Sequence, residues 1–190
     1  PHFMSWVVAA SIFSMILSPT SAGLVNDVLM KLHLITDNIY FLGDQKWWRF
    51  SYYIINVWKD TGWGTIIFMA TLAGISPELY EAASMDGANR FQKMIYITLP
   101  ALNNTIVTVL VLNLAKVMNL FESVFVLQND AVIKVSDVLQ TYIYTQTFNS
   151  GAIPDYGYTT AVGMFSSIIS CILVLVCNRV SHKTRGRGIV

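Results

Sequence analysis

Charge is what this sequence has least of: 12% of its 190 residues are Asp, Glu, Lys or Arg, against about a quarter in an ordinary soluble domain. Hydrophobic residues make up 54%, an excess that excludes intrinsic disorder. A net charge of +1 supplies no field to hold a polyanion, which argues against nucleic acid as a partner. The two cysteines are too few for a disulfide scaffold. Cys171 and Cys177 have no His or acidic neighbours and read as inert small apolar residues. His2, His33 and His182 are far apart, without metal-ligand spacing. No Gly-x-x-x-x-Gly-Lys-Ser/Thr run is present, so the chain has no P-loop for nucleotide phosphates. The motifs of intramembrane proteases are missing too. No catalytic residue, metal site or cofactor is expected in this chain.

The missing charge is unevenly distributed. Residues 1–26, 61–77, 94–115 and 156–178 contain none, and a bilayer core needs about 20 mostly apolar residues in a helix. The expectation is an all-α, polytopic transmembrane helical bundle with spans near 3–18, 52–75, 99–127 and 157–178. The opening Pro1-His2-Phe3-Met4 has no initiator and no basic region before the apolar run, unlike a signal peptide. It points to a C-terminal piece of a longer protein, all of 1–190 being one transmembrane domain. Segments 75–97 and 179–190 hold Arg90, Lys93, Arg179, Lys183, Arg185 and Arg187. The longer segments 19–50 and 129–155 hold Lys31, Lys46, Arg49 and Lys134. The denser pair is expected to face the cytoplasm.

Between the spans, Ser18-Pro19-Thr20-Ser21-Ala22-Gly23 should end the first helix. Leu24, Val25, Val28, Leu29 and Leu32 then recur at helical spacing opposite Asn26, Asp27 and Lys31, as in a helix lying on a membrane. Trp47 and Trp48 are expected at headgroup level. In the second span, Lys59 and Asp60 followed by Gly62 and Gly64 interrupt the apolar pattern. Lys59 either lines a cavity or snorkels to the headgroups, and the glycines allow close packing or local unwinding. The third span carries Asn113, Lys116, Asn119 and Glu122; the first three fall on one side and should meet another helix or water. Ser136 and Asp137 suit the start of a short interfacial helix, and Gly151, Pro154 and Gly157 a turn into the last span. There, Gly163 with Ser167 and Ser166 with Ser170 have the spacing of close helix packing.

Residues 75–100 are the most informative. Ser76-Pro77-Glu78 is a helix start, with a hydroxyl cap, proline at the first position and an acid in the first turn. Leu79, Ala82 and Ala83 give a small apolar face, Gly87 a left-handed stop, and Asn89 to Ile97 a second helix. Arg90 and Lys93 are available to cytoplasmic headgroups. Glu81-Ala82-Ala83, Gly87, Ile97, Leu99 and Pro100 together resemble the EAA loop of the permease subunits of binding-protein-dependent ABC importers. Tyr80, Asp86-Gly87-Ala88-Asn89-Arg90, Trp58-Lys59 with Gly62-Trp63-Gly64-Thr65, Ser136-Asp137-Val138 and Asn178-Arg179 are similar to the carbohydrate-uptake branch, in particular the LplB-like oligosaccharide permeases. Asn104 departs from the proline common in that span.

The resemblance implies a six-span, non-catalytic subunit of the plasma (inner) membrane, four of whose spans are present, with the coupling loop 76–97 and the C-terminus cytoplasmic. It implies a second permease subunit, two ATP-binding subunits that hold the ATP, and an extracytoplasmic solute-binding protein delivering a sugar or oligosaccharide. Glu81, Ala82, Ala83, Asp86, Gly87, Ile97, Leu99 and Pro100 would form the loop that docks on an ATPase. Lys59, Asn113, Lys116, Asn119 and Glu122 are candidates for the translocation path. A permease for a non-sugar solute shares the same loop. A secondary transporter would account for the polar span but leave the loop unexplained.

Overall fold

The computed structural model describes residues 1–20, 22–149 and 155–185, with side chains as far as Arg179. Ser21, Gly151, Pro154 and Arg187 lie outside the described residues, as do the side chains of Lys183 and Arg185. Every regular element described is helical. The chain divides into two compact units, Pro1–Asp60 with Met118–Ile169 and Thr61–Val117 with Ser170–Val190.

In the first unit, α1 (Trp6–Ile16) starts where the Ser5 hydroxyl accepts from the Val8 amide at 3.3 Å. Its 11 residues rise about 16 Å, less than the expected span 3–18. The turn after it packs so closely that a Cβ on Gly23 would lie 2.1 Å from the Ser18 carbonyl oxygen. The short helix α2 (Leu24–Lys31) follows, with its faces arranged differently from the expectation. Asn26 is fully buried, while Leu24 and Leu32 are exposed. The Asn26 side chain donates to the carbonyls of Ser18 and Ile39 at 2.8 and 2.9 Å and accepts from the Ile39 amide at 3.0 Å. Backbone groups left open by a turn need such partners, and an amide supplies a donor and an acceptor together.

The helix α3 (Gln45–Ala73) runs for 29 residues through Lys59, Asp60, Gly62 and Gly64 without a break. Nothing among the described residues lies within 4 Å of a Cβ on either glycine, and the helix is not unwound there. Trp48 is 3% exposed, packed inside the protein. Its ring stacks on Tyr52 at 5.1 Å and its indole N–H donates to the Leu127 carbonyl at 3.0 Å. Around it pack Ala10, Leu42, Ile55, Val124, Leu127 and Val132. The remaining helices of this unit are α7 (Glu122–Leu127), α8 (Ile133–Ser136), α9 (Leu139–Phe148) and the first part of α10 (Tyr156–Arg185). Ser136 ends α8, its hydroxyl donating to the Val132 carbonyl at 2.9 Å, so it is not the expected cap. Thr141 instead accepts from the Val138 amide at the start of α9.

The second unit holds the end of α3, then α4 (Pro77–Met85), α5 (Arg90–Lys93) and α6 (Leu99–Val117). The expected separate helix at 89–97 is fused to the span. Residues Met94–Thr98 form one π-helical turn that joins α5 to α6, with the Leu99 amide bonded to the Met94 carbonyl. The cause is Pro100, which has no N–H and would press on the carbonyl one turn back. A wider turn just before it lets the helix continue. Arg90–Val117 and Tyr156–Arg179 are, by length and composition, long and apolar enough to cross a membrane. The third span ends at Val117, not at 127, because the chain breaks at 118–121 before α7. Gln140 closes that break by donating to the Met118 carbonyl at 3.2 Å. In α10 nothing among the described residues packs within 4 Å of a Cβ at Gly163.

Replacing Asn26 by Ala leaves three partly buried backbone groups without that partner, at up to about 1–3 kcal/mol each. The full-length Asn26→Ala protein in detergent should melt several degrees lower, while Asp27→Ala on the exposed side should melt as the wild type does. Equal melting of the two variants would contradict the bridging role of Asn26.

Candidate functional site

The loop after α3 folds as a compact helical hairpin. Ser76 precedes Pro77 at the first position of α4, with Glu78 in the first turn, as expected of a helix start, but the Ser76 side chain makes no capping bond, so the expected hydroxyl cap is not formed. The helix ends in a left-handed stop: Gly87 has φ +78°, its amide bonds to the Ser84 carbonyl at 3.1 Å, and the Ala88 amide bonds to the Ala83 carbonyl at 2.9 Å. This pair of bonds satisfies the last carbonyls and requires a residue tolerant of positive φ. Space is not the constraint, since nothing lies within 4 Å of a Cβ there. Asn89 and Gln92 then cap α5 reciprocally, the Gln92 amide donating to Asn89 at 2.9 Å and the Asn89 amide to Gln92 at 2.8 Å. The Asn-x-x-Gln spacing is visible in the sequence and was the signal for this box.

Side chains pin the two arms together. Tyr80 and Thr98 hydroxyls meet at 2.9 Å, and Lys93 Nζ donates to Ser84 Oγ at 2.6 Å. Lys93 is thereby committed inside the hairpin. Glu81, Ala82 and Asp86 stay exposed, while Ala83 and Ile97 are half-buried. Met85 is 89% exposed, and Phe91 beyond the turn 65%. The hairpin presents an acid, a small apolar step and two large apolar side chains. Leu99 and Pro100 lie in the first turn of α6, where they set the exit from the loop.

The polar residues of the spans are dispersed. Lys59 is 5% exposed; its ammonium donates to the His2 carbonyl at 3.0 Å and lies 4.9 Å from the centre of the Trp6 ring. It does not snorkel. His2 Nδ1 is 3.2 Å from an Asp60 carboxylate oxygen. On α6, Asn113 and Lys116 are exposed. Asn119 sits in the break after α6 and accepts from Gln140 at 3.3 Å. Glu122, exposed, opens α7, so the four residues expected on the third span do not share one helix. On the same unit as Asn119, the hydroxyls of Tyr142 and Tyr158 meet at 3.3 Å, and this bond raises the Tyr142 phenol above its ordinary range. No group of three or more His, Cys, Asp or Glu is placed to hold a metal among the described residues.

Residues 1–186 match the family model of the binding-protein-dependent transport system inner membrane component. The chain belongs to that family. It is 40% identical over 190 residues to Protein LplB of Bacillus subtilis (strain 168), covering 100% of this chain and 58% of LplB. It is 38% identical over the same length to the polygalacturonan/rhamnogalacturonan transport system permease protein YteP of that strain, of which it covers 57%. It also matches a crystal structure of a bacterial alginate ABC transporter in complex with alginate pentasaccharide-bound periplasmic protein, at a TM-score of 0.91 and 35% identity. That match covers 100% of this chain and 64% of the other. The chain thus spans about three fifths of the length of these relatives, and its all-helical fold is that of the family's permeases.

Gly87→Ala forces a Cβ into the left-handed region at about 1–2 kcal/mol, a cost that Asn largely avoids. Limited proteolysis of the full-length protein should cut Gly87→Ala between Met85 and Arg90 several-fold faster than Gly87→Asn. Equal rates for the two variants would count against the left-handed stop.

Proposed function

We propose that the full-length protein is the permease subunit of an ATP-driven importer that passes a sugar or oligosaccharide across the inner membrane. The observation that carries this reading is the exposed hairpin from α4 through Gly87 to α5, a rigid projection of a shape and chemistry that fit a groove on another protein. The ATP-binding subunits would supply that groove and the energy, because this chain has no P-loop. A second permease and an extracytoplasmic solute-binding protein complete the assembly. The names of YteP and of the alginate transporter support a saccharide as cargo. The hairpin and the C-terminus would face the cytoplasm, following the concentration of Lys and Arg at 75–97 and 179–190.

Within this proposal, Glu81 and Ala82 touch the ATPase, while Ala83, Asp86, Gly87, Ile97, Leu99 and Pro100 hold the loop in shape. Asn113 and Lys116 are exposed near the C-terminal end of α6, where the helix is mostly apolar. A cation left in hydrocarbon is costly, so these two would line the path. Asn119 and Glu122 remain path candidates on their own unit. Lys59 joins them only if its contact with His2 and Trp6 opens during transport.

Reversing the charge at the docking surface should cost more than about tenfold in rate. Full-length Glu81→Lys is expected to insert normally yet lose ATP-driven saccharide uptake to that extent in membrane vesicles. Uptake at the wild-type rate would overturn the coupling role of the loop. Alanine at both Lys116 and Asn119 should change the rate or the saccharide preference, and transport indifferent to both would leave them structural.

A further inference from the structure

We infer that a cleft beside Arg49, ten residues before Lys59 on α3, is a saccharide subsite. The inference rests on the proposed importer reading and deepens it. The cleft has a volume of about 290 Å³, and its polar lining includes Arg49, Tyr53, Ser136 and Asp137. Ten residues of α-helix place Arg49 about 15 Å along α3 from Lys59, so the cleft is separate from the buried lysine. Its size lies at the lower end of ligand clefts, about 300 Å³, which suits one sugar ring, not a whole chain.

The side chains are arranged for a ligand that both donates and accepts. Arg49 Nε is fixed by donation to the Val135 carbonyl at 3.0 Å, which leaves the two terminal nitrogens of a planar, oriented fork. Asp137 accepts from Thr141 through one carboxylate oxygen, leaving the other. Two opposite charges line one small cleft, yet among the described residues they form no ion pair with each other. A sugar hydroxyl pair satisfies both, accepting from the guanidinium and donating to the carboxylate, without bringing a net charge beside Asp137. Tyr53, one helical turn from Arg49 and 62% exposed, offers an aromatic face for the apolar face of the ring. The wall behind is rigid: Trp48 and Tyr52 are stacked and buried, and the Tyr52 hydroxyl bonds Ser123 at 2.9 Å.

A zwitterionic peptide is the other ligand that pairs with a cation and an anion together, and the test separates the two. The full-length permease, purified in its assembly without the binding protein, is titrated calorimetrically with maltotriose, a galacturonate trisaccharide and alanylalanine. Saturable binding of a saccharide is expected, weakened about tenfold by Arg49→Gln or Asp137→Asn, the loss of one charge-assisted bond. Tyr53→Ala, which removes an exposed ring, should weaken it as well. Saccharide binding unchanged in all three variants, no saccharide binding, or binding of the dipeptide alone would overturn the subsite. If the wild-type transporter still takes up a saccharide in that event, the importer reading stands without the cleft. If it takes up peptides or amino acids and no saccharide, that reading falls instead.

Discussion

In lipid a backbone amide or carbonyl has no water to turn to, so the chain must satisfy it internally, and most of this structure answers that demand. Helix is the response over the long apolar runs. The places where helix fails are the informative ones, because each needs a named partner. Asn26 serves the turn after α1, Trp48 takes the Leu127 carbonyl, and Gln140 takes the Met118 carbonyl where α6 ends. Around Pro100 the same demand produces a π-helical turn, so that α5 and α6 remain one continuous helix.

That continuity has a functional consequence. In the proposed importer, a hairpin arm fused to the helix Arg90–Val117 would move with it. A push on α4 would reach α6 through the Tyr80–Thr98 and Ser84–Lys93 bonds. The left-handed stop at Gly87 keeps the two arms folded back on each other. In the proposed importer this makes the loop a rigid lever, and the exposed Glu81, Ala82 and Met85 its contact surface.

Local signals in the sequence were legible where a single residue type enforces a conformation. Ser76-Pro77-Glu78 and Gly87 mark the bounds of α4, and the uncharged runs 94–115 and 156–178 mark helices long and apolar enough to cross a membrane. What the sequence concealed depends on contacts between distant residues. Asn26 reads as a solvated residue because nothing local shows that Ser18 and Ile39 will face it. Nothing local to Trp48 shows that its indole N–H will meet the carbonyl of Leu127, far along the chain. The break at 118–121 has no glycine or proline to announce it and is held by Gln140. Lys59 left a choice between a cavity and the headgroups; the structure gives a third outcome, burial under Trp6 and His2.

The central claim is that the hairpin meets an ATP-binding subunit. The most direct measurement places one cysteine on its exposed surface, Ala82→Cys, in the full-length protein. It is crosslinked in native membranes with a short bifunctional maleimide, and adducts are compared with those of the parent protein, whose own Cys171 and Cys177 serve as the background. The account predicts a new adduct that mass spectrometry identifies as the permease joined to an ATP-binding protein, lost in Glu81→Lys. An adduct with no ATP-binding protein, at Ala82 and equally at Met85→Cys, would contradict it.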